Sequence, residues 1–247
     1  GVQTCALPIF TNEDGWLKRG LSSDYGRCRF AIMNPELTMT LPPYQTASGC
    51  TDIILHTMER YFIKENNMDI TDGFAESLMR TVMKHTRILM KEPNNYESRA
   101  EVMWAGSLSH NDITGSRSFG DWACHQLEHE LSGMYKVAHG AGLAAVWGSW
   151  ARYVYQEQPS RFAQYARNVM GIREENDVEC ALAGIEATEQ FFKEIGMPTS
   201  IHEMGIALGE EDIQTLAWKC SFEDKRTIGC FKVLKKEDME NIYRIAK

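Results

Sequence analysis

No run of residues in this 247-residue chain is apolar for long enough to span a bilayer, so no membrane helix is expected. Positive charge is also short: 26 Lys and Arg stand against 34 Asp and Glu, giving a net charge of -8 and a pI near 5.4. Nucleic-acid binding relies on clustered cations that displace counterions from phosphates, so no such partner is expected for a chain this acidic. The seven cysteines, at positions 5, 28, 50, 124, 180, 220 and 230, include no C-x-x-C pair, and no N-x-S/T acceptor occurs. An odd, scattered set of thiols suits a reducing compartment, and nothing at the start resembles a signal peptide. The cytoplasm is the expected location.

Residues 1–10, GVQTCALPIF, lack charge, periodicity and any capping signal. They read as a non-native, adapter-like segment, the alternative being an apolar N-terminal strand. From Thr11 to about residue 42 glycines punctuate a loop and strand texture, and RFAIMNPEL (29–37) predicts a buried strand closed by Pro35. At Pro42-Pro43 the hydrophobic period changes to that of a helix. The pattern predicts helices over 43–63, 72–91, 95–113, 120–135, 140–156, 159–170, 176–195, 209–220 and 236–246, with a looped insertion at CSFEDKRTIGCFKVLKKED.

Three of the chain's seven histidines fall in one stretch, CHQLEHELSGMYKVAHG. His125 and His129 are four apart and share a helix face; Asp52 and His56 repeat that spacing on another helix, and His139 lies at the turn into the next. A single such pair is more often a surface or satisfied core pair. Two pairs with a turn histidine give four or five donors whose imidazole and carboxylate chemistry suits Fe(II), Zn, Co or Ni rather than Mg or Ca.

Other metal and cofactor patterns are excluded by counting. Neither His-Glu step completes H-E-x-x-H, since His129-Glu130 is followed by Gly133 and His202-Glu203 by Ile206, and no glutamate precedes a histidine by three, so neither a zincin nor a ferritin-like di-iron helix is present. GAGLAA (140–145) fits G-x-G-x-x-A, but a helix and a turn precede it where a dinucleotide fold needs a strand; small residues for close helix packing are expected instead. His85 and His202 read as structural or surface residues, and His110 as a capping or packing residue, the alternative being a place at the border of the pocket.

The segments LPPYQTASGCTDIILHTMERYF, DWACHQLEHELSGMYKVAHGAGLA and FFKEIGMPTS closely resemble the iron-containing alcohol dehydrogenases, in particular their NADPH-dependent butanol dehydrogenase branch. That resemblance implies a mainly α fold: an all-helical metal-binding C-terminal domain (43–247) of a two-domain dehydrogenase, preceded by a short remnant (11–42) of the α/β nucleotide-binding domain. It makes Asp52, His56, His125 and His139 the ligands of Fe(II) or Zn, and His129 the extra histidine beside nicotinamide and substrate. Lys18 and Leu37 match positions that contact NADP(H) or NAD(H). A small alcohol or aldehyde as substrate and a homodimer are implied with it; the resemblance also implies a truncated chain whose turnover is in doubt, because the phosphate-binding loop would lie upstream of residue 11. Two other classes fit the residues: a metal-dependent lyase or dehydratase working without nicotinamide, and a non-catalytic helical protein with core histidines.

Overall fold

Pro43 occupies the first helical position after Pro42, where a missing N–H costs nothing, and starts α1, Pro43–Tyr61, in the computed structural model of the protein. The structure describes residues 9–20, 28–64, 68–115 and 120–247. Among these follow α2 (Asp69–Leu89), α3 (Tyr96–Ser109), α4 (Ala123–Tyr135), α5 (His139–Val154), α6 (Pro159–Asn168), α7 (Asp177–Glu194), α8 (Glu210–Cys220) and α9 (Lys236–Ala246). The fold is all-helical from Pro43 onward, and each helix expected from the sequence is present to within about one turn at either end. None is long and apolar enough to cross a membrane among the described residues.

α5 is the axis of the core. Every residue from Gly140 to Ala151 is buried, as expected for a helix that is apolar or small on all sides. α1, α4, α7 and α9 pack around it. Beyond its C-terminal half, Phe62 stacks on Phe162 with ring centres 4.3 Å apart, and Phe231, from the loop before α9, meets Phe162 edge-on at 5.4 Å. That loop is the expected insertion: it forms only the bridge Ile228 to Leu234.

Strands β1 (Ile9–Asn12) and β2 (Leu17–Gly20) form an antiparallel hairpin whose turn uses Gly15 at φ 81°. The hairpin lies on α4 at Gly133, where a Cβ would come within 2.9 Å of the Trp16 carbonyl oxygen. Of the segment read as adapter-like, residues 1–8 lie outside the described residues, while Ile9 and Phe10 belong to β1.

One expectation is corrected. The 29–37 segment is no buried strand: Phe30 and Ile32 are 81% and 82% exposed, and Pro35–Thr38 is a short 3-10 helix capped by Asn34. Among the described residues no strand runs beside it, and an unpaired strand leaves its backbone groups without partners.

Arg161 of α6 ties two helices together. Its guanidinium donates through Nε to the Tyr61 carbonyl at 3.0 Å, ending α1, and through Nη2 to Asp72 of α2 at 2.8 Å. Both charges are buried. Replacing Arg161 by Met should therefore strand the Asp72 carboxylate and cost about 3–5 kcal/mol in chemical denaturation. Adding Asp72→Leu should recover part of that loss. A single Arg161→Met change costing under about 1 kcal/mol would show the pair to be dispensable.

Candidate metal centre

Asp52 and His56, one turn apart on α1, face α4 and the first residue of α5. Oδ1 of Asp52 lies 3.6 Å from His56 Nε2, 3.7 Å from His125 Nε2 and 3.5 Å from His139 Nε2. One carboxylate oxygen thus stands at the focus of three imidazole nitrogens drawn from three helices. The donor atoms of Asp52, His56 and His125 all lie within 4.8 Å of one another.

The first turn of α5 reaches this focus because Gly140 has no side chain: a Cβ there would come within 1.9 Å of the Ser48 carbonyl oxygen on α1. Gly142 leaves room for the Glu128 carboxylate, whose Oε1 would be 2.8 Å from an added Cβ. The glycines of GAGLAA therefore serve close packing, as expected from their setting.

His56 and His125 are sealed in, at 9% and 3% exposure, whereas about a quarter of the Asp52 and His139 side chains is exposed. The centre is closed on one side and open on the other. Asp52 Oδ1 and His125 Nε2 are buried yet have no hydrogen-bond partner. Orphaned buried donors and acceptors are costly, and ligand-grade atoms converging on one point have the chemistry to hold a cation.

The electrostatics agree. Burial would raise the Asp52 carboxyl, but His56, His125 and His139 hold it well below the usual carboxylate range. Burial also works against a charge on His125, yet the nearby Asp52 carboxylate and the hydrogen bond to Glu59 prevail and lift its pKa to about 9. For His56 burial dominates and holds the pKa well below its ordinary value.

His129, one turn beyond His125, stacks on His139 at 5.5 Å, and its Nε2 is buried without a partner. Burial, with His139, His125 and Lys18 adding to it, pushes its pKa down to about 2. Lys18 of β2 donates to Ser132 Oγ at 2.7 Å and lies 3.7 Å from Glu128. The structure thus gathers Asp52, His56, His125, His129, His139 and Lys18. Leu37 is not drawn in by a contact: it sits on the 3-10 helix and is 76% exposed.

Two residues escaped the sequence reading. Glu59 Oε1 accepts from His125 Nδ1 at 3.0 Å and from its backbone N–H at 2.9 Å, and Glu128 Oε2 accepts from His139 Nδ1. The signal was there: Asp52, His56 and Glu59 keep helical spacing on α1, as do His125, Glu128, His129 and Ser132 on α4. His110 caps α3 and packs on His56 with ring centres 3.8 Å apart, in keeping with its expected capping or packing role. His85 pairs with Ser98 away from the centre, and His202 is exposed in a short 3-10 helix.

Residues 46–247 match the family described as Fe-containing alcohol dehydrogenase family, C-terminal. NADH-dependent butanol dehydrogenase A of Clostridium acetobutylicum is 33% identical over 246 residues, 99% of this chain and 63% of that protein. NADPH-dependent aldehyde reductase YqhD of Escherichia coli is 36% identical over 83% of this chain and 53% of its own length. The solved structure of NADH-dependent butanol dehydrogenase A from Thermotoga maritima superimposes with a TM-score of 0.92 at 36% identity, over 98% of this chain and 62% of that one. The chain thus spans less than two thirds of the length of these relatives.

The close approach of α5 to α1 makes Gly140 a sensitive position. A Gly140→Ala chain should lose about 1–3 kcal/mol of stability through overpacking, read by chemical denaturation. Unchanged stability would mean that α5 can slide off Ser48 freely, and the fixed reach of His139 to Asp52 would fall with it.

Proposed function

This chain belongs to the iron-containing alcohol dehydrogenase family, and on that premise we propose that it is the metal-binding part of an oxidoreductase interconverting primary alcohols and aldehydes. The substrates are of the butanol and butanal kind, and the redox partner is NADP(H) or NAD(H), since relatives of both kinds are named. The observation that carries the proposal is the convergence of three imidazole Nε2 atoms on one oxygen of Asp52. Asp52, His56, His125 and His139 are then the metal ligands. Three neutral nitrogens and one carboxylate suit Fe(II) or Zn, and the buried, unpartnered Asp52 Oδ1 and His125 Nε2 fit a cation between them. A lyase on the same donor set has no comparable support from the relatives.

When bound, the metal would polarise a carbonyl oxygen or acidify a hydroxyl, and the nicotinamide would give or take the hydride. The remaining tasks belong to this chain's side chains. The open side, at Asp52 and His139, admits the substrate oxygen, while the buried His56 and His125 close the opposite side to water. His129 offers Nε2 to the substrate hydroxyl. Burial keeps its imidazole neutral, so it hydrogen-bonds the hydroxyl and hands its proton on rather than storing it. Lys18, held against α4 by Ser132, and the exposed Leu37 face the cofactor.

In this reading residues 11–42 are a remnant of the nucleotide-binding domain and residues 43–247 the catalytic helical domain. A homodimer in the cytoplasm belongs to the same proposal.

Metal content of the anaerobically purified chain, measured by mass spectrometry, tests the reading. About one Fe or Zn per chain is expected, lost in His125→Ala and His139→Ala and kept in His129→Ala. In a length of protein that reduces butanal with NADPH or NADH, His129→Ala should slow turnover on the order of a hundredfold. A folded parent chain that takes up neither metal after reconstitution would overturn the proposal, and an equally fast His129→Ala enzyme would remove that residue from the chemistry.

A further inference from the structure

The geometry points to Glu59 and Glu128 as an outer pair of positioning residues that set the ring orientation and tautomer of His125 and His139. The inference rests on the metal reading above. Each glutamate holds the Nδ1 of one ligand histidine, so each ring is committed to donating N–H there and leaves Nε2 bare on the side of Asp52. Glu59 grips its histidine twice, because the same Oε1 also accepts the His125 backbone N–H at 2.9 Å. A ring rotated about its side-chain bonds would lose the Nδ1 bond while the backbone bond stayed.

Both carboxylates are buried, at 2% and 0% exposure, and in each the second oxygen, Glu59 Oε2 and Glu128 Oε1, has no partner among the described residues. Two features accommodate Glu128. Gly142 leaves the space its carboxylate fills, and Lys18 brings an ammonium to within 3.7 Å. Carboxylates buried at a desolvation cost need a use, and orienting the donors is one that their contacts specify.

His56 is the internal contrast. Its Nδ1 has no partner, and its ring is positioned instead by packing on His110. Outer carboxylates are therefore assigned to two of the three ligand histidines and not to the third.

The test uses this chain stripped with chelator and titrated with Co(II) alone, following the dissociation constant by chelator competition and the visible d–d bands. Glu59→Ala and Glu128→Ala should each weaken Co(II) binding by about ten- to a hundredfold and change the bands. Glu59→Gln and Glu128→Gln, which keep an acceptor but lose the charge, should bind more weakly than the parent with a smaller deficit. The Gln variants carry the test if an Ala variant fails to fold. Co(II) affinity within about twofold of the parent in all folded variants would overturn the inference, as would lowered stability of the metal-free forms with no change in affinity. A parent chain that binds no Co(II) would sink the metal reading as well, whereas a parent that binds while the glutamate variants match it would sink only the outer pair.

Discussion

The site depends on one contact, the seating of Gly140 on the Ser48 carbonyl, which brings the first turn of α5 against α1. His139 begins α5 and Asp52 lies one turn beyond Ser48, so the helix separation at that contact sets the reach of one donor to another. A helix carrying any side chain there would be held off by the van der Waals distance of a Cβ, and protein interiors do not absorb such displacements softly. The burial of α5 on all sides follows from the same approach. Its N-terminal half carries Gly140, Ala141, Gly142, Ala144 and Ala145, and the large buried side chains Trp147 and Trp150 follow.

Around that seam the molecule concentrates buried charge. Asp52, Glu59, Glu128 and Glu130 come from two adjacent helices, and Glu130 is offset by Arg19 of the hairpin at 2.6 Å. Asp121 adds a fifth carboxyl. Burial, with Glu59 close by, raises it to about 7, while three backbone N–H groups at the start of α4 and in the loop before α9 bind it. Carboxylates gathered without cations would repel and neutralise one another. Hydrogen bonds offset part of that burial: His125 donates to Glu59, His139 to Glu128 and Arg19 to Glu130. A purely packing role for the histidines leaves those carboxylates without a reason to be buried.

Much of this was legible in the sequence because helical spacing is a strong constraint. Asp52 with His56 and His125 with His129 could be put on shared faces, and the turn histidine His139 next to them, before any coordinates. The fold class followed from breakers such as Pro93, Pro159 and Gly171 between amphipathic runs. The strand expected at 29–37 failed for a physical reason: an apolar alternation specifies a strand only when a neighbour supplies backbone partners. Glu59 and Glu128 were hidden because an acidic residue on a helix is normally a solvated one. Only the helix packing reveals that these two point inward. GAGLAA was ambiguous for the same reason, since a glycine's use lies in what approaches it.

All four proposed ligands, the extra histidine and both outer carboxylates lie on α1, α4 and the first turn of α5. The hairpin contributes Lys18 alone among the groups gathered at the centre. On the proposed reading, holding the donors and holding the nicotinamide are tasks of different parts of the protein, meeting where β2 lies on α4. Such a division explains why the helical part carries so dense a polar network of its own. A donor set that had to wait for a second domain to order it would expose unpaired carboxylates and imidazoles during folding. A set whose rings are fixed by Glu59 and Glu128 within the same helical layer is ready before the cofactor arrives.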